Sequence, residues 1–129
     1  MEIKCVVVTP EKVVLEKDAE FVALPLYDGE YGIAFNHTPV IGRLGAGELR
    51  IRKDGNVDSY YVAGGFVEVL NNNVTLMTSR AVPVAQITKE VAEKALAEAS
   101  EKPSSTPEET ELRDQALMAA RAMMRIANR

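Results

Sequence analysis

A chain of 129 residues with 47% apolar and 26% charged content lies in the soluble globular range, long enough for one sizeable core or a small domain with an appendage. A formal net charge of -4 argues against a general nucleic-acid footprint, which needs a concentrated basic face. The apolar runs, such as residues 5–8, fall far short of the roughly 18 residues a membrane helix requires, and no charged-then-apolar signal segment opens the chain, so it is expected to stay in the compartment where it is made.

From residue 1 to about 85 the sequence reads as short strands, at 2–8, 13–15, 20–24, 47–53, 57–63, 66–70 and 74–78, rich in β-branched and aromatic residues. In the first of these the alternation Ile3, Cys5, Val7 turns the single cysteine inward, as a core thiol. Asp28-Gly29 and Asp54-Gly55 are hairpin dipeptides, Asn71-Asn72-Asn73 is a polar turn, and Gly64-Gly65 interrupts a strand pattern where a bulge is expected. Gly42, Gly45 and Gly47 read as a turn between strands. In Glu48-Leu49-Arg50-Ile51-Arg52 the period is two, which sends Leu49 and Ile51 to a core and the charges to water. Strands at this spacing with no intervening helical period predict an antiparallel β-sandwich or barrel over residues 1–85.

Beyond Pro83 the composition shifts to alanine, glutamate, lysine and methionine, and residues 86–129 predict a helical hairpin. A first helix runs from about Thr88, its N-cap, to about Ser100, with Val91, Ala92, Ala95 and Ala99 along one stripe. The polar break 101–105 precedes Thr106-Pro107-Glu108-Glu109, where Thr106 caps, Pro107 takes the first helical position and Glu109 completes a capping box. On the second helix Leu112, Ala116, Ala119, Met123, Ile126 and Ala127 gather on one face, while Arg121, Arg125 and Arg129, spaced by four, form a basic stripe opposite.

Little in the chain points to catalysis. No phosphate-cradling Gly-x-x-x-x-Gly-Lys-Ser/Thr loop is present, and one histidine with one cysteine lacks the clustered ligands a zinc site needs, so neither cofactor nor metal is expected. His37 could serve as a general base only beside a serine or Cys5, with a carboxylate to orient it. Its setting, Asn36-His37-Thr38-Pro39, is the chemistry of a turn or a contact surface: Pro39 forces Thr38 toward extended geometry and Asn36 tolerates left-handed backbone.

The stretch Gly29-Glu30-Tyr31-Gly32-Ile33-Ala34-Phe35-Asn36-His37-Thr38-Pro39-Val40 resembles the Gly-Glu-x-Gly-Ile-x-Pro-x-His-x-Pro-Leu signature of the epsilon subunit of F-type ATP synthase, with Phe35 and Thr38 departing from the usual proline and alanine. Thr9-Pro10-Glu11, Gly47-Glu48-Leu49-Arg50-Ile51, and Val62-Ala63-Gly64-Gly65-Phe66-Val67-Glu68-Val69 followed by Asn73-Val74-Thr75-Leu76 resemble that family in order and spacing, as does the layout of a sandwich followed by a helical hairpin. The resemblance implies a non-catalytic rotor subunit of the central stalk, peripheral to the cytoplasmic face of a bacterial inner membrane or the stromal face of a thylakoid. It implies that Thr9, His37, Thr38, Pro39 and Val40 face the gamma subunit, that Asp28, Glu30 and Tyr31 lie nearer the c-ring, and that Arg121, Arg125 and Arg129 meet acids of the beta subunit to restrain ATP hydrolysis. Some members bind ATP through an Ile/Leu-Asp-x-x-Arg-Ala motif; the corresponding Ile87-Thr88-Lys89-Glu90-Val91-Ala92 lacks the acid and the arginine, so ATP binding is expected to be weak at most.

Two readings from other classes make distinct structural demands. A glycan- or peptide-binding sandwich would gather Tyr27, Tyr31, Tyr60 and Tyr61 into an exposed platform. A small hydrolase would bring a serine or Cys5 within hydrogen-bond reach of the His37 ring.

Overall fold

The computed structural model describes residues 1–129 and divides them into two compact units, Met1–Pro83 and Val84–Arg129. The first unit holds β1 (Ile3–Val8), β2 (Val13–Ala19), β3 (Phe21–Leu26), β4 (Gly29–Ala34), β5 (Val40–Lys53), β6 (Asn56–Leu70), β7 (Asn73–Met77) and β8 (Ala81–Pro83). They form a mixed sheet in the order β2-β1-β7-β6-β5-β3-β4, with β8 beside β6. All pairs are antiparallel except β1 with β7, a departure from the purely antiparallel expectation. The sheet closes over itself as a sandwich: Lys17 of β2 reaches Asp58 of β6 at 2.7 Å, although β1 and β7 separate those strands along the sheet.

Inward-facing residues from β1 to β8 merge into one core, among them Ile3, Val7, Leu24, Ile33, Leu49 and Val74. Leu49 and Ile51 lie in it, as the period-two reading requires, and so does Cys5, fully buried. With nothing to solvate a thiolate, burial pushes the Cys5 thiol from 9.0 up to about 12.

Turn chemistry sets most of the register. Asp54 and Gly55, at φ 53° and 79°, close β5 onto β6, and Asn71 and Asn72, at φ 50° and 63°, close β6 onto β7, both in the left-handed conformations that two-residue hairpins demand. The β3–β4 turn falls on Tyr27-Asp28 rather than Asp28-Gly29, because Gly29 already pairs with Leu26.

The glycine-rich segments are where the strand reading fails. Residues 29–34 form β4, and 40–47 with Gly42, Gly45 and Gly47 belong to β5 instead of a turn. Here glycine serves close packing: a Cβ on Gly32 would stand 2.6 Å from the Phe21 ring, and one on Gly47 would stand 2.9 Å from Pro25. Gly64 and Gly65, at φ 97° and 120°, create no bulge, since β6 keeps its register with β5 from Val40 to Lys53. They lie where β6 exchanges neighbours, β8 beside Tyr60–Val62 and β7 beside Phe66–Leu70; a Cβ on Gly65 would strike the Met77 carbonyl.

The second unit opens with a short 3-10 turn, Val84–Gln86, followed by α1 (Lys89–Ser100) and α2 (Pro107–Ala127), which pack on one another. Thr88 caps α1 by accepting from the Val91 N–H at 3.2 Å. Thr106 and Glu109 form the reciprocal capping box, each side chain accepting the other's backbone N–H at 3.1 Å. On α2 the buried positions are Leu117, Ala120, Ala122 and Met123, whereas Leu112, expected on the apolar stripe, is exposed. A 100° period places Leu112 on the stripe, but no residue is buried in the first turns of α2 after the cap.

Candidate docking surface

Because β-strand side chains alternate, the strands that bury Val67, Val69, Val74 and Leu76 must turn the intervening residues outward, where polar side chains are the norm. This sheet breaks that norm. Arg43, Phe66, Met77, Val8 and Val13 are successive cross-strand partners over β5, β6, β7, β1 and β2 and so form one row on the outer face. Phe66 is 57% exposed, Met77 48% and Val13 56%. In the next row Ile41, 82% exposed, stands opposite Glu68. Side chains of this size left in water together mark an interaction surface.

A shallow groove borders each end of this face. One is lined by Pro39, Val40, Ile41, Glu68, Val69 and Leu70, the other by Val8, Thr9, Pro10, Met77, Thr78 and Ser79. Thr9 and Pro39, 30 residues apart in sequence, thus flank a single surface. Thr9 is fixed by the β1–β2 turn, where its N–H donates to the Lys12 carbonyl at 2.9 Å. Thr38 and Pro39 are exposed in the loop before β5, while Val40 packs on the core and leaves its neighbour Ile41 pointing out.

His37 is half-buried and has both ring nitrogens engaged. Nδ1 lies 2.7 Å from the Thr38 carbonyl oxygen, and Nε2 lies 2.9 Å from the Tyr31 hydroxyl, with the two rings edge-to-face at 5.3 Å. Neither a serine nor Cys5 reaches the imidazole, so the hydrolase arrangement is contradicted. The tyrosine platform is contradicted too: Tyr27 is exposed against Arg43, Tyr31 bonds to His37, Tyr60 lies beneath Lys17, and Tyr61 is fully buried.

Of the residues assigned by resemblance to the c-ring side, Asp28 is exposed in the β3–β4 turn and Glu30 is exposed on β4, ion-paired with Arg50, which also reaches Glu48 at 3.3 Å. Tyr31 is turned to the other side of β4, against the core and toward His37. The structure therefore joins Tyr31 to the loop of His37 rather than to Glu30. On α2, Arg121 and Arg125 are exposed at a spacing of four, and Arg129 is exposed just past the helix end.

The outer apolar row went unnoticed in the sequence, although a signal existed. Once Val67 and Val69 are assigned inward, Phe66 must face outward, and the same parity exposes Ile41 beside Val40.

Comparison with known proteins places this geometry. A family model described as "ATP synthase, Delta/Epsilon chain, beta-sandwich domain" matches residues 2–84. The ATP synthase epsilon chain of Rhodopirellula baltica is 46% identical over 125 residues, covering 97% of this chain and 98% of that one. That of Bacillus subtilis is 36% identical over 111 residues, covering 86% and 84%. Among solved structures, a chain of the Euglena gracilis mitochondrial ATP synthase, in an OSCP/F1/c-ring assembly, superposes with a TM-score of 0.81 at 25% identity, over 96% of this chain and 80% of that one. A sandwich with two C-terminal helices, matched in sequence over nearly its whole length, makes this chain a member of the ATP synthase epsilon-chain family.

Proposed function

We propose that the chain is a non-catalytic rotor subunit that docks on the gamma subunit through the outer face of β5, β6, β7, β1 and β2. The observation that carries this reading is the exposed row of Phe66, Met77 and Val13, with Ile41 beside it and Thr9 and Pro39 at its borders. A lone water-soluble domain has no use for such a face, whereas burying it against a partner stabilises a complex by about 25 cal/mol per Å² of apolar surface. Asp28 and Glu30, at the exposed β3–β4 end, supply the polar contact to the c-ring that couples proton flow to rotation. The chain is peripheral to the cytoplasmic face of a bacterial inner membrane and is held there through the complex; no helix is long and apolar enough to cross a membrane.

The hairpin restrains ATP hydrolysis by presenting Arg121, Arg125 and Arg129 to acids of the beta subunit, since guanidinium groups engage carboxylates in bidentate fashion. ATP itself binds weakly at most, because Thr88 is occupied as the α1 cap and Val91 offers no charge to a phosphate. Replacing the three arginines together by alanine is expected to leave fold and gamma docking intact and to raise ATP hydrolysis by the assembled enzyme. Hydrolysis unchanged by the triple substitution, but raised by removal of residues 86–129, would place the restraint elsewhere on the hairpin. The docking reading itself is tested by calorimetric titration of the full chain with purified gamma subunit: a one-to-one complex is expected, and no heat of binding would overturn it.

A further inference from the structure

The family resemblance assigns His37 to a gamma contact and Tyr31 to the c-ring side, yet the two side chains are bonded to each other. We propose that Tyr31 and His37 act as one internal clamp, positioning residues that hold the loop 35–39 in the shape in which Pro39 and Ile41 meet gamma. This rests on the docking reading above and concerns how its surface is built.

The hydrogen-bond inventory fixes the direction of each bond. The Thr38 carbonyl can only accept, so the proton sits on Nδ1 of His37, which donates to it over 2.7 Å. In the neutral ring Nε2 is then a lone pair, and the Tyr31 hydroxyl donates to it over 2.9 Å. One imidazole thus ties the loop backbone at Thr38 to strand β4, whose Tyr31 is anchored against the core. Reversing the tautomer would set Nε2–H against the tyrosine hydroxyl and leave Nδ1 facing a carbonyl with no proton between them.

A second tether acts from the other side. Asn36, in the left-handed conformation at φ 63°, donates its N–H to the side-chain oxygen of Asn72 at 2.7 Å, and Asn72 is the second residue of the β6–β7 turn. The loop is therefore held to β4 by a side-chain pair and to the β6–β7 turn by a backbone bond, immediately before the chain enters the groove at Pro39. Fixing a loop beforehand lowers the ordering entropy lost on binding, so the clamp strengthens docking without a group of its own at the interface.

The test combines a spectroscopic signature with a binding cycle on the full chain. For the neutral imidazole, ¹⁵N shifts should report the Nδ1–H tautomer in the wild-type chain and keep it in Tyr31→Phe, where the Thr38 carbonyl still accepts, while the Nε2 resonance moves as it loses the hydroxyl that donates to it. Tyr31→Phe, which removes one net hydrogen bond, should weaken gamma binding by about 5- to 10-fold, and His37→Phe, which removes the bonds to both Tyr31 and Thr38, at least as much. The double variant should be no weaker than the worse single one, because both changes break the same clamp. Asn72→Gly, which keeps the left-handed backbone and deletes the acceptor, should weaken docking independently. A dominant Nε2–H tautomer in the wild-type chain overturns the proposal. So does wild-type affinity in Tyr31→Phe, or a multiplicative loss in the double variant, which would mean that the residues touch separate partners. Failure of the wild-type chain to bind gamma would instead bring down the docking reading, and the proposal with it.

Discussion

In the sandwich, Leu24, Ile33, Leu49, Val67 and Val74 come from different strands and are fully or almost fully buried together, so the interior carries the fold. Within the helices of the hairpin the buried positions are Ala92, Ala99, Ala120 and Ala122 with Leu117 and Met123, and Ile87 is buried just before α1. Alanine removes little apolar area from water, and the helices rely instead on propensity and on their ends: Thr88 on α1, and Thr106, Pro107 and Glu109 on α2. One unit is thus specified by long-range packing and the other by local chemistry.

The largest expected effect separates the two directly. Leu49→Ala should cost about 2–5 kcal/mol and lower the denaturant midpoint of the sandwich, because a fully buried strand position cannot collapse around the cavity. Leu117→Ala should stay at or below the bottom of that range and leave the amide spectrum of residues 1–83 unchanged. Equal losses would mean that the hairpin has a packed core of comparable weight.

Alkaline pH probes the same interior more gently. Folding holds the Cys5 thiol near 12 against an ordinary 9.0, so the folded state resists ionisation that the unfolded chain undergoes. For an acid raised in this way, the stabilisation is present in full below about pH 9 and is lost as pH rises from there toward 12, by up to about 1.4 kcal/mol per pH unit. Between pH 9 and 10 the wild-type chain should lose stability that Cys5→Ala retains; parallel curves would show that Cys5 is not buried as described.

How much of this was legible in advance follows from the range of the forces involved. Both helix caps and the Asp54-Gly55 turn are decided within a few residues, and each was readable. Strand β4 and the first half of β5 were not, because their glycines answer to Phe21, Pro25 and Leu26, which are distant in sequence and adjacent only after folding. The site divides the same way. Thr9 and Pro39 were named from motifs, but Phe66, Met77 and Val13 become a surface only through cross-strand register. The bond between Tyr31 and His37, six residues apart, depends on β4, a strand that the alternation of residues 29–34 does not announce.

The smallest expected effect concerns the hairpin's ends. Thr106→Ala removes the acceptor for the Glu109 N–H and should cost about 1 kcal/mol, seen as faster hydrogen exchange in the first turn of α2 with none of the sandwich amides affected. Slower or unchanged exchange there would mean that the cap does not hold the helix start.

The central claim is that the outer face of the sandwich is the docking surface, and Phe66→Glu tests it most directly. Phe66 is 57% exposed, between Arg43 and Met77 in the outer row, so the substitution removes no core contact and should leave thermal unfolding close to wild type. Calorimetry with the gamma subunit should then show affinity lowered roughly 30-fold or more, the loss of a hot-spot aromatic worth about 2 kcal/mol. Wild-type affinity in a folded Phe66→Glu chain would contradict the account.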